Sequence, residues 1–163
     1  MTDILRFKVE SALLEGEAHR LRLVSGTGKL MPFFPLTSES LDGLADETVS
    51  YLDQFIYRFT KLQDTKGTKL FPALVCMITG SDAPRPFLDI LNQLEKVGII
   101  SSSETWQTLR ALRNNLAHEY PDSSEQCVAT LNMLFVEWHQ LEGMFLAARV
   151  YYEEKLLPLL ANQ

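Results

Sequence analysis

The sequence is poor in the residues that build covalent or metal-tied scaffolds. It has two cysteines, Cys76 and Cys127, and three histidines, His19, His118 and His139, in 163 residues. Two distant cysteines make neither a disulfide framework nor a zinc cluster. No His pair at i, i+4 flanks a glutamate, as a zinc protease requires. The thiols are expected to be reduced and buried, and neither a metal nor a cofactor is implied. No apolar run approaches the length of a membrane span. The start, MTDILRFKVE, is charged from residue 3 and lacks a signal-peptide core. The expectation is a cytoplasmic protein with no membrane partner. A basic surface is missing too, since the net charge is −6. Any nucleic-acid contact must then rest on a small local site, and broad DNA binding is excluded. Strand alternation, internal repeats and low-complexity tracts are also absent.

What remains is ordinary globular composition, 46% hydrophobic and 22% charged. A chain this long buries roughly 69% of its unfolded surface, enough for a single domain over residues 1–163. Helical periodicity dominates it. Residues 3–24 carry Ile4, Phe7, Leu14, Leu21 and Val24 among charges, an amphipathic helix expected to end at Gly26 and Gly28. LMPFFPLT (30–37) reads as an extended connector whose phenylalanines pack as a plug. A second helix is expected from Ser38 or Ser40, either of which can cap it. Gly67 breaks or kinks that pattern, which resumes as KLFPALVCMI (69–78) with Pro72 in its first turn.

GSDAPRP (80–86) is a loop, followed by a helix near 87–97. Ser101 to Ser103 offer caps for the next helix, and Glu104 offers a capping box. That helix should run over 103–119 and stop before Pro121. The last begins near Ser123 or Ser124. Its Cys127, Leu131, Leu134, Trp138, Leu141, Phe145, Ala148 and Tyr152 follow 4-3 spacing, a core stripe long enough to leave room for a dimer seam. The fold class is all-α, an up-and-down bundle of five or six helices.

Most motif-like fragments are weak. GTGK (26–29) lacks the four-residue spacing and the Ser or Thr of a phosphate loop, and reads as a turn. There is no GxSxG elbow. LRALRNNLAHEYP (109–121) is different. It sets Arg110, Arg113, Asn114, His118 and Tyr120 at the C-terminal end of a helix, where the dipole favours a cation. Asn114 and His118 share a face, as do Arg113 and Tyr120; Arg113 is about 140° round from His118, within reach of its long side chain. A bare R-x4-H arises by chance in about 15% of such compositions; R-N-x3-H-x-Y arises on the order of once in 10⁴. From the residues alone, a cap and a packing pair remain as a second reading of the cluster.

The segment RNNLAHEY (113–120) resembles the R-x4-H-x-Y signature of HEPN-domain proteins, specifically HepT-like toxins. YRFTKLQDTKGTKLFPALV (57–75) and LEKVGIISSSETWQTLRALRN (94–114) are similar to that subfamily's flanking helices. The resemblance covers about residues 40–160, and residues 1–37 less clearly. It implies an α-helical bundle and a homodimer whose two motifs face each other as a metal-independent ribonuclease site. It also implies a partner, a minimal nucleotidyltransferase (MNT-type) antitoxin, which adds AMP to the signature tyrosine, here Tyr120.

The chemistry suits those residues. Metal-free RNA cleavage uses the 2′-hydroxyl as nucleophile, and His is the side chain suited to take its proton near neutral pH. Charge grows on phosphate oxygens, which Arg stabilises bidentately. Catalysis is expected of Arg113 and His118. Asn114, Tyr120 and Arg110 support it, Asn114 by orienting either partner or bonding the phosphate. AMP on Tyr120 would carry bulk and negative charge into the basic site. A non-catalytic HEPN module binding a nucleotidyltransferase or a nucleotide is the alternative. Arg58 and Asp64, in RFTKLQD, form either a solvated ion-pair face or polar neighbours of the motif helix.

Overall fold

Six helical rods make up the computed structural model, which describes residues 2–161, and no strand occurs among them. They are α1 (Thr2–Leu30), α2 (Ser38–Asp42), α3 (Asp46–Thr65) running into α4 (Phe71–Thr79), α5 (Phe87–Lys96), α6 (Ser103–Glu119), and α7 (Glu125–Tyr151) running into α8 (Leu157–Ala161). A π-turn at Lys66–Leu70 joins α3 to α4, and another at Tyr152–Leu156 joins α7 to α8.

Cross-helix bonds fix the directions. Along α1, Glu15, His19 and Lys29 meet Thr65, Arg58 and Tyr51 of α3 in falling order, so the two are antiparallel. Glu17 and Arg20 meet Arg149 and Glu142 of α7 in the same sense. Arg113 and Tyr120 of α6 meet Asp64 and Asp53 of α3. The long rods therefore alternate up and down. Phe55, Phe59, Phe71 and Phe145, all fully buried, fill the space between them.

The α7 stripe enters the core as its spacing predicts: every member is buried except the half-buried Trp138. Ser124 caps that helix, accepting from the Cys127 N–H at 3.2 Å. Cys127 is buried, while Cys76 is only half-buried. In the connector, Phe34 stacks on Phe135 with ring centroids 3.8 Å apart, but Phe33 stays exposed. Asn132 binds both the N–H and the C=O of Leu36, at 2.7 and 2.9 Å, and so anchors this segment to α7.

Several expectations need correction. α1 does not stop at Gly26 or Gly28 but runs to Leu30, because Leu23, Thr27 and Leu30 bury against the bundle and outweigh the weak helix propensity of glycine. Its core face is also not the expected one. Ile4, Phe7, Leu14, Leu21 and Val24 are all exposed; the buried face carries Val9, Ala12, Gly16, Leu23 and Leu30. Small residues there let the helices approach: a Cβ on Gly16 would stand 2.3 Å from Phe145 Cε2.

The second helix is two. Thr37, not Ser38 or Ser40, caps the five-residue α2, with Ser40 completing the box, and α3 starts separately at Asp46. Gly67 sits in the π-turn, so the rod bends its hydrogen-bond pattern without breaking. Ser102 caps α6 and bonds Thr105; Glu104 takes no part in a capping box.

Candidate functional site on the C-terminal half of α6

The helix that carries the motif is held from one side. Trp106, Leu109 and Leu116 are buried, while Arg110, Asn114, Asn115 and His118 are exposed. Tyr120 takes extended geometry (φ −73°, ψ 136°) and ends the helix before Pro121, as the restriction on a residue preceding proline requires.

Arg113 turns towards α3. It donates to Asp64 Oδ1 at 2.7 Å and to Asn114 Oδ1 at 3.0 Å. Asn114, one turn before His118 on the same face, thus links the guanidinium to the imidazole side of the helix. The His118 side chain is exposed and makes no hydrogen bond or ion pair with another described residue; the same holds for the Arg110 side chain. Arg113 and Asn114 are therefore brought together, and His118 stands free beside them.

Tyr120 does not reach Arg113. Its hydroxyl donates to Asp53 Oδ1 of α3. Burial, and then this bond to a carboxylate, push the phenol well above its usual titration range. Asp53 is a residue that sequence reasoning missed. Its only signal is position, eleven residues before Asp64 and on the same side of α3.

The two polar residues weighed on α3 part company. Asp64 lies beside the motif as Arg113's partner. Arg58 instead donates to His19 Nδ1 at 2.9 Å, with its Nε buried and unpaired. Burial, reinforced by Arg58, lowers the affinity of His19 for a proton, which suits an imidazole that accepts from a guanidinium. His139 contacts only the Val136 carbonyl. GTGK lies inside α1 and forms no turn.

No family model, curated protein or solved structure matches this chain.

Among the described residues, no cluster of three or more His, Cys, Asp or Glu is placed to hold a metal ion. Likewise, no helix is long and apolar enough to cross a membrane. The chemistry on offer along the exposed side of α6 and its C-cap is thus a free imidazole, a free guanidinium at Arg110 near mid-helix, a carboxylate-paired guanidinium at Arg113, and a carboxylate-paired phenol.

Proposed function

We propose that the chain is a metal-independent endoribonuclease of the HEPN type, a toxin acting in the cytoplasm and held in check by a nucleotidyltransferase partner. The observation that carries this reading is the exposed, unpartnered His118 five residues after Arg113 within R-N-x3-H-x-Y. In the reaction, His118 takes the proton of an RNA 2′-hydroxyl, and the freed oxygen attacks the adjacent phosphorus. The bond to the 5′-oxygen breaks, that oxygen takes a proton from the imidazolium of a second copy, and a 2′,3′-cyclic phosphate remains. Arg113 stabilises the charge that builds on the phosphate.

One Arg–His pair supplies little charge. Two motifs across a twofold axis double it and provide both the base and the acid, so the active form is a homodimer. Light scattering that found only an 18.5 kDa particle at micromolar concentration would remove the composite site.

The test is cleavage of RNA by His118→Ala and Arg113→Ala, each expected to be inactive. Both should stay folded, because His118 is exposed and Arg113, though only 21% exposed, pairs with an Asp64 carboxylate that is 48% exposed and can be rehydrated, costing about 1 kcal/mol or less. Activity should survive EDTA. Full activity in either variant, or loss with EDTA, overturns the mechanism.

A non-catalytic module that binds a nucleotidyltransferase or a nucleotide is the second reading. It is favoured by the Asp64 carboxylate, which already occupies one edge of the Arg113 guanidinium. Expression separates the two: a toxin halts host growth unless Arg113 or His118 is changed, and a binding module leaves growth alone.

A further inference from the structure

A cleft of about 280 Å³ opens between the end of α3, the π-turn and α6, and reaches the motif itself, since Asp64 and Arg113 also line it. It is slightly smaller than pockets for drug-sized ligands, which span roughly 300–1,000 Å³, so it suits one planar ring. Two buried side chains that line it lack partners. Gln63 is 2% exposed, and neither its Oε1 nor its Nε2 is hydrogen-bonded; Trp106 is 3% exposed, and its Nε1–H is unpaired. Buried polar groups are nearly always satisfied, and each exception costs stability that needs a reason.

Three further features converge there. A single-turn π-bulge is rare and recurs at functional sites. Gly67, in that bulge, keeps the space open: a Cβ would stand 3.1 Å from Trp106 and 3.7 Å from Phe87. Arg110, one turn beyond Trp106 on the same face, lines the cleft with its guanidinium unpaired.

We propose that this cleft is a base-reading subsite, in which one nucleobase of single-stranded RNA is held against the Phe87 and Trp106 rings by the Gln63 carboxamide, with its phosphate on Arg110. The carboxamide offers an adjacent donor and acceptor, the pattern that pairs with a base edge, and unstacked bases are recognised in this way. Binding turns the Gln63 amide out of the floor and into the cleft that the residue lines. Arg110 lies about 12 Å along the helix axis from His118, so the base read here is a neighbour of the phosphate being cut. As RNA recognition for cutting, this deepens the ribonuclease reading and rests on it; as a binding site, it is measurable alone.

The experiment measures fluorescence anisotropy with two octamer probes in EDTA: 2′-deoxyoctaadenylate, which has no 2′-hydroxyl and cannot be cut, and an abasic octamer of the same charge. The wild-type protein should prefer the base-bearing probe by about five- to 150-fold, the range of one base–aromatic contact. Gln63→Leu and Gly67→Ala should abolish the preference. Gln63→Leu removes orphaned polar atoms in a near-isosteric side chain, so its unfolding midpoint should hold or rise, separating lost recognition from lost folding. Equal affinity of the wild type for both probes, or full preference retained by Gln63→Leu, overturns the subsite. The two proposals fail separately: base preference without RNA cleavage sinks the nuclease alone, and cleavage without base preference sinks the subsite alone.

Discussion

Replacing Gly16 by alanine sets two effects of opposite sign against each other. In a helix interior, Gly→Ala gains about 0.8–1.0 kcal/mol from propensity. At position 16 the new methyl would meet Phe145 Cε2 at 2.3 Å and Cζ at 3.0 Å, where carbon atoms rest at about 3.5–4.0 Å. Phe145 is fully buried and has the Arg149 guanidinium 5.0 Å from its ring centre, so its ring can retreat only by displacing packed neighbours. Overpacking of this kind costs about 1–3 kcal/mol, and a shift of more than an ångström places it in the upper half of that range. The net loss is about 1–2 kcal/mol, or a Tm lower by roughly 2–8 °C for a chain of this size. Gly26→Ala is the control: it lies in the same helix with no atom within 4 Å of the new Cβ, and should gain up to about 1 kcal/mol. Thermal and urea unfolding followed by helical circular dichroism reads both. A Gly16→Ala protein as stable as wild type would refute the close α1–α7 contact. A destabilised Gly26→Ala would refute the continuation of α1 to Leu30.

Tyr120→Phe should retain ribonuclease activity yet accept no AMP from a nucleotidyltransferase and ATP; intact mass decides, and an adduct persisting in the variant places the acceptor elsewhere. Glu17 is held at about 2 by its bond to Arg20 and, after the opposing effect of burial, by Arg149. Its folded value lies below its unfolded one, so its contribution to stability is present above pH 4.5 and is lost as pH falls towards 2; Glu17→Gln should flatten the fall in unfolding midpoint across that window. Phe7→Ser and Leu14→Ser, on the exposed side of α1, should each change stability by less than about 0.5 kcal/mol, whereas Leu23→Ala in the core should cost about 2–5 kcal/mol, measured by urea unfolding.

The contrast between α7 and α1 shows which parts of a helical fold a sequence makes legible. In α7 the large apolar side chains form one 4-3 stripe from Cys127 to Tyr152, and only one face of the helix can be the core. In α1 two stripes compete. The outward one has the bulk, with Phe7, Leu14 and Leu21, while much of the inward one is small, with Ala12, Gly16, Gly26 and Thr27. A reading weighted by side-chain size selects the wrong face. The inward face wins in the structure because small residues allow closer packing, and that advantage depends on Phe145, more than a hundred residues away. The π-turn is hidden for a similar reason: Gly67 marks a disturbance, but whether the rod breaks or bulges depends on the packing of Leu70 and Phe71, both fully buried.

The site divides in the same way. Arg113, Asn114, His118 and Tyr120 are neighbours on one helix end, so their proximity follows from spacing alone. Their state does not, because it is set by two carboxylates on α3. Asp64 offsets the charge of Arg113, and Asp53 holds the phenol of Tyr120 away from it. The unbalanced cations of the motif are thereby reduced to Arg110 and, when protonated, His118, both solvent-facing. In a chain of net charge −6 this decides where a phosphate can land. On the ribonuclease reading proposed above, a phosphate would find the unpaired Arg110 at the cleft of Gln63 and Trp106, and would reach Arg113, which lines the same cleft, only by competing with Asp64. On that reading, binding at the cleft and chemistry at the helix end would be successive demands on one strand.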